Sequence, residues 1–221
     1  MRVYLDNAAT TALDPEEFEA MKPFLLEDFG NPSSTHWHGR KVRAALESAR
    51  KKIAELLHCR PGEIIFTSGG TEADNTLLVS GLHTYGIRHA ISSRLEHHAV
   101  LHTLNHLEKQ EEIKFSMVNT DEKGHIDFKH LESILEKNEN SLVSLMHANN
   151  EIGNLLDIER VGELCDHYKS YFHSDTVQAV GHYAHDLAKI KVHGITAAAH
   201  KFHGPKGVGF MYIRRDKKIH P

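Results

Sequence analysis

The sequence predicts an α/β fold built on a mostly parallel, seven-stranded sheet covered by helices, and three observations predict it. Short β-rich runs recur along the chain, helical patterns separate most of them, and a polar cluster follows one run after another. The helical reading starts with Pro15 to Leu26, which is amphipathic. It continues with His38 to Leu57, where apolar positions three and four apart alternate with charges.

The β-rich runs are EIIFTS from Glu63, HAISSR from His89, IKFSMV from Ile113, SLVSLMH from Ser141, YFHSDT from Tyr171, GITAAAH from Gly194 and VGFMYIR from Val208. TEADNTLLVSGLHTYG follows the first run and LLDIERVGELCDHYKS precedes the fifth, as crossover helices of a parallel sheet would. Only the loop KFHGPKG separates the last two runs, so the final strand is expected to run antiparallel. No repeat, low-complexity tract or linker divides the chain, which reads as one unit.

Composition narrows the function. The 221 residues are 40% apolar and 25% charged, in the range of soluble globular proteins. Lys and Arg number 26 against 30 Asp and Glu, for a formal charge of −4, and no basic stretch tracks a phosphate backbone, so nucleic acid is not an expected partner. No apolar run is long enough for export or membrane insertion, which makes a cytoplasmic protein the expectation. Cys59 and Cys165 stand far apart and outside any C-x-x-C pattern, and the 20 histidines are scattered, so neither a disulfide framework nor a metal site is indicated.

In an open α/β sheet the ligand crevice lies beyond the carboxyl ends of the strands. SGGTEADN, LEHHAV, HANNEIG, SDTVQ and AHKFHGPKG each follow a β-rich run and therefore gather at one end. In the first, Gly69 and Gly70 permit a tight turn, Thr71 is positioned to cap the next helix, and free N–H groups at that helix start suit a phosphate. The same residues also describe an ordinary strand-to-helix turn.

Lys201 lies between a run of small residues and a Gly-rich loop. Burial there would lower its pKa and suit it to form a Schiff base with an aldehyde, while Lys206 serves as a surface comparison. Asp175 ends an apolar strand, where a dry carboxylate needs a cation such as a pyridinium nitrogen. Gln178 is within reach of a ring hydroxyl, and the His97 ring is suited to stacking and proton transfer. Asn150 and His200 complete the set. Singly, each has an ordinary reading: a surface lysine, a turn aspartate, a solvent-facing amide, a structural histidine or a turn asparagine.

Together the segments resemble the cysteine desulfurase branch of the class V aminotransferase-like pyridoxal-phosphate (PLP) enzymes. The carriers are YLDNAATT at 4–11, FGNPSSTHWHG at 29–39, FTSGGTEADN at 66–75, EHHAV at 96–100, HANNEIG at 147–153, HSDTVQAVGH at 173–182 and HKFHGPKGVG at 200–209. The resemblance implies fold type I, with residues 1–15 lining the active site and 16–221 forming the PLP-binding large domain. It implies that Lys201 holds the cofactor, Asp175 pairs with the ring nitrogen, and His97 stacks on the ring and moves protons. Gln178 and Asn150 would address the ring hydroxyl and the substrate side, and Gly70, Thr71 and His200 the 5′-phosphate.

The implied activity converts L-cysteine to L-alanine and passes sulfur on as a persulfide to an acceptor protein, for iron–sulfur cluster or other cofactor synthesis, from a homodimer. A selenocysteine lyase, another class V aminotransferase, or a PLP-binding fragment without turnover are the alternatives. Two departures stand out. Ala198 occupies a place where the family usually has a phosphate-binding Ser. The family also continues beyond IRRDKKIHP with the rest of the large domain, a substrate-carboxylate Arg, a loop bearing the cysteine nucleophile and a small domain, so the expectation is of an incomplete chain inactive by itself.

Overall fold

A computed structural model describes residues 1–217; the last four residues assigned above to the large domain, 218–221, lie outside the described residues. Two surface helices open the fold, α1 (Pro15–Leu26) and α2 (Trp37–Leu56). Asp14 caps α1 by accepting from the Glu16 N–H, and Pro15 sits at its first position, where no donor is lost. α1 buries none of its residues, and Phe18, Leu25 and Leu26 remain exposed.

Seven strands and four further helices follow: β1 (Ile64–Thr67), α3 (Gly70–Thr84), β2 (His89–Ser92), α4 (His98–Lys109), β3 (Lys114–Met117), α5 (Phe128–Lys137), β4 (Leu142–Ser144), α6 (Ile158–His167), β5 (Tyr171–Asp175), β6 (Gly194–Ala198) and β7 (Gly209–Ile213). They form one sheet in the order β1-β7-β6-β5-β4-β2-β3. The β2, β3, β4, β5 and β6 pairings are parallel, and β7 is antiparallel to both of its neighbours, as the short KFHGPKG connection requires.

Side-chain alternation explains the two-sided core. Ile91, Val143, Phe172 and Ile195 face α2, α5 and α6, whereas Ala90, Leu142 and Tyr171, one residue earlier on their strands, face α3 and α4. Burying both faces is what gives β4, β5 and β6 uninterrupted burial rather than an in-out pattern. No helix among the described residues is long and apolar enough to cross a membrane.

Candidate active site

The carboxyl ends of β1, β2, β4, β5 and β6 open into one cleft of about 460 Å³. Lys201, Asp175, His97, Asn150, Gln178, His200, Gly70 and Thr71 all line it, so the structure brings together every site residue expected from the sequence. Asp6, Ala8 and Ala9 form another wall, from the opposite end of the chain.

Asp175 is the last residue of β5 and is buried. Its Oδ1 accepts the Val177 N–H at 2.9 Å, and the Thr196 hydroxyl of β6 lies 3.5 Å away. Burial, then the neighbouring Asp74 carboxylate, push its pKa up to about 7. A cation entering the cleft would relieve that penalty.

Lys201 ends the single 3-10 turn that follows β6, half-buried. Burial holds its pKa below the usual lysine value, with Asp175 and Asp6 pulling the other way. Nζ donates to the carbonyl of Ala8 and, at 3.0 Å, to that of Ala9. Lys206 is exposed, as the comparison with Lys201 anticipated.

The N-terminal segment fixes this turn. Thr11 is buried; its N–H donates to the His200 carbonyl at 2.8 Å, its hydroxyl donates there at 3.0 Å, and the same hydroxyl accepts the His203 N–H at 2.8 Å. His203 has φ 66°, a left-handed conformation that a non-glycine residue holds only when its surroundings enforce it. His200 pairs with Thr10 Oγ1 at 3.2 Å, and Gln178 Nε2 donates to the Ala8 carbonyl at 2.8 Å.

The α3 start differs from the expectation in one respect: Thr71 does not cap it. Gly69 is the cap residue and Thr71 is already the second helical residue, so its hydroxyl is not directed back at the first-turn N–H groups. Glu72 instead reaches back to the Ser68 N–H at 2.7 Å. With no side-chain cap, the first-turn donors remain open to an anion. A Cβ at Gly70 would meet Val177 Cγ2 at 2.7 Å, so glycine is what lets this helix start approach the cleft wall.

His97 caps α4, accepting the Ala99 N–H on Nδ1 at 3.2 Å, and its exposed ring borders the cleft. Asn150 donates to Glu151 at 2.7 Å at the cleft's edge. Sequence reasoning passed over three buried groups: Asp74, on the cleft wall, and Glu96 and His173 behind it. Asp74 shares the buried face of α3 with Ala73, Leu77 and Leu78, and an acidic residue on an apolar helix face was the available signal. His173 precedes Asp175 by two residues on a strand and so points to the same side.

The family described as Aminotransferase class-V matches residues 3–221. The chain belongs to the class-V aminotransferases. Among relatives of this class, a cysteine desulfurase IscS from Dictyoglomus turgidum is 48% identical over 99% of the chain, and a cysteine desulfurase from Cereibacter sphaeroides is 45% identical over 100%. The class-V chain spans 56% and 57% of those relatives' lengths. A solved NifS-like protein superposes with a TM-score of 0.96 at 39% identity, over 100% of this chain and 61% of that one. A structure described as SspA in complex with cysteine superposes at 0.93 with 30% identity, over 100% and 64%.

Class-V aminotransferases depend on pyridoxal phosphate. The cleft of this member fits that group on its own chemistry: a half-buried amine, a buried carboxylate in no ion pair among the described residues and an uncapped helix start face one space.

Proposed function

We propose that this chain is the cofactor-binding portion of a PLP-dependent cysteine desulfurase, which converts L-cysteine to L-alanine and hands the sulfur on as a persulfide. The observation that carries the reading is Lys201 and Asp175 in one cleft with the open α3 start, in a chain whose relatives bear that name.

When bound, PLP supplies an electrophilic aldehyde and a ring that withdraws electrons from the substrate's α-carbon. Lys201, with its pKa lowered by burial, would hold the group through Nζ and would take up or return a proton at that atom. Asp175 would keep the ring nitrogen protonated. His97 would lie against the ring and move protons on the substrate side. Gln178 and Asn150 orient the ring hydroxyl and the substrate, while the Gly70 and Thr71 N–H groups, the Thr71 hydroxyl and His200 receive the phosphate.

A homodimer, a scaffold-type sulfur acceptor, a role in iron–sulfur cluster synthesis and a cytoplasmic setting belong to the same proposal. The test is titration of the purified chain with PLP, followed by an amino-acid panel on a version carrying the remaining length seen in the relatives. A saturable visible band and preference for cysteine support the reading; no band, or preference for another amino acid, refutes it.

A further inference from the structure

Behind the cleft lies a buried polar layer that the proposed chemistry leaves without a task. His173 is fully buried on β5; its Nδ1 is 2.9 Å from the Ser144 hydroxyl of β4, and its Nε2 is 3.3 Å from Asp74 Oδ1 of α3. Neither Nε2 nor Asp74 Oδ1 makes a hydrogen bond among the described residues, although both atoms are sealed from solvent. Thr196 faces both carboxylates, lying 3.5 Å from Asp175 and favouring the ionised form of Asp74, against the larger effect of burial. An unpaired buried charge is costly, so a layer of this kind settles its protons to minimise charge.

We propose that Asp74 and Asp175 hold one proton between them, and that His173 with Ser144 is the device that lets Asp74 take it, leaving the negative charge of the pair on Asp175. Asp74 is thus a positioning residue acting through Asp175. The proposal deepens the PLP reading and rests on it for the purpose of the charge.

The imidazole makes this possible without becoming charged. With Asp74 ionised, Nε2 carries the proton toward Asp74 and Nδ1 accepts from the Ser144 hydroxyl. With Asp74 protonated, the carboxyl donates to Nε2, and Nδ1–H donates to Ser144 Oγ. The second arrangement adds one proton to the layer and changes the imidazole only from one neutral tautomer to the other. Burial depresses His173 to about 4, consistent with a neutral ring in both.

The groups facing Asp175 are Asp74 of α3, Glu96 and His97 before α4, His173 on its own strand, and Lys201 after β6. Burial holds Glu96 well above the usual carboxylate range, against the Met146 N–H that its Oε1 accepts at 2.8 Å. Asp74, pushed by burial up to about 7, is the neighbour whose charge changes near neutral pH. Two like charges in a dry layer cannot both form cheaply, so ionising one raises the other.

The experiment is infrared titration of the chain labelled with carbon-13 at its aspartate carboxyls, read at the protonated-carboxyl band. Surface aspartates titrate near ~4, below the window of interest. Without PLP, the wild type should lose the band in two steps separated by at least about one pH unit. Asp74→Asn should leave one step, below the upper wild-type step. Asp175→Asn should leave the Asp74 step alone, and adding Ser144→Ala to it should move that step down, because a buried Nδ1–H would then lack an acceptor. With PLP, the wild type should retain a protonated aspartate at pH 7.5 and Asp74→Asn should not.

Independent titration of the two aspartates, or no movement on removing the Ser144 hydroxyl, overturns the proposal. If Asp74→Asn does not fold, the Asp175→Asn pair of variants still decides it. If PLP adds no visible band, the cofactor reading fails while the cofactor-free titrations decide the shared proton.

Discussion

Lys201 Nζ donates to the carbonyl oxygen of Ala9 at 3.0 Å, across 192 residues of sequence. With Ala8 and the Thr10–Thr11 contacts to His200, this ties the start of the chain to the turn that presents the amine. The lysine is therefore aimed as well as partly desolvated, and its chemistry should differ from that of an exposed lysine five residues on.

With PLP present, borohydride should fix the cofactor to Lys201 and leave Lys206 unmodified. Peptide mapping reads the outcome. A label spread over surface lysines, or surviving in Lys201→Ala, would contradict the assignment.

Thr11→Val should weaken the site from outside it. The substitution removes one donated and one accepted hydrogen bond while keeping the side chain's volume, and it leaves the His203 N–H without its partner. A loss of about 1–3 kcal/mol in unfolding stability and weaker PLP binding are expected from denaturant melts and dialysis. An unchanged melt would mean that the segment is not held through Thr11.

Ala198→Ser should tighten PLP about tenfold, on the order of 1.5 kcal/mol for one charge-assisted hydrogen bond. Ala198 is buried on the cleft wall, and its Cβ is 3.8 Å from where a Cβ on Gly70 would be, which places an added hydroxyl beside the open start of α3. Equal or weaker binding in equilibrium dialysis would show that the phosphate site is already satisfied.

Asp175→Asn should stabilise the PLP-free chain, and more so at pH 8 than at pH 5. Burial raises this carboxyl to about 7, whereas an unfolded aspartate ionises near ~4. Between those values the folded chain binds more protons, so the wild type loses stability as pH rises from about 4 to about 7 and stays at its lowest level above that. His147 and His173, depressed by burial to about 4, work in the opposite direction below roughly pH 6.5, but both proteins carry them, so the difference between wild type and variant at each pH isolates Asp175. The gain at pH 8 should be on the order of 4 kcal/mol; a gain equal at both pH values would remove the charge from the explanation.

The chain by itself should not release sulfur from cysteine faster than free PLP does. Burial, then Glu63, push the half-buried Cys59 thiol up to about 12, and burial also pushes up Cys165, which packs in the core. Neither offers an accessible thiolate near neutral pH, and neither lines the cleft. Alanine and sulfide formation is the assay, and turnover abolished by Cys59→Ser or Cys165→Ser would identify a nucleophile where this account has none.

The inner strands were legible because a sheet buried on both faces writes them as short apolar runs, the edge strands β1 and β3 by their β-rich composition, and Pro15 with Asp14 marks where α1 starts. The cleft was legible because polar clusters after successive strands have to converge at one end of a parallel sheet. Thr71 was misread because a threonine after two glycines looks like a cap, whereas the helix takes in Gly70 and leaves Gly69 in that place. Asp74 escaped because its partner Thr196 comes from a distant segment, and Glu96 because the Met146 N–H it accepts does so too, although Ser93 donates to it locally.

The joining of residues 8–11 to residues 200–203 has a consequence for how the protein is made. β1 finds its sheet partner only in β7, and the amine finds its carbonyls only after the turn beyond β6 exists, so both contacts close loops spanning most of the chain. Such long-range closures come late, since their entropy is lost before they bring any return. A ribosome that has released the chain only as far as β5 therefore presents a nascent sheet of β2 through β5, with Asp175 in place, β1 still unpaired and nothing to oppose the carboxylate. Closure of the amine's contacts waits until Lys201 has emerged, and a nascent chain stalled before β6 exposes the β6-facing edge of β5 to its neighbours.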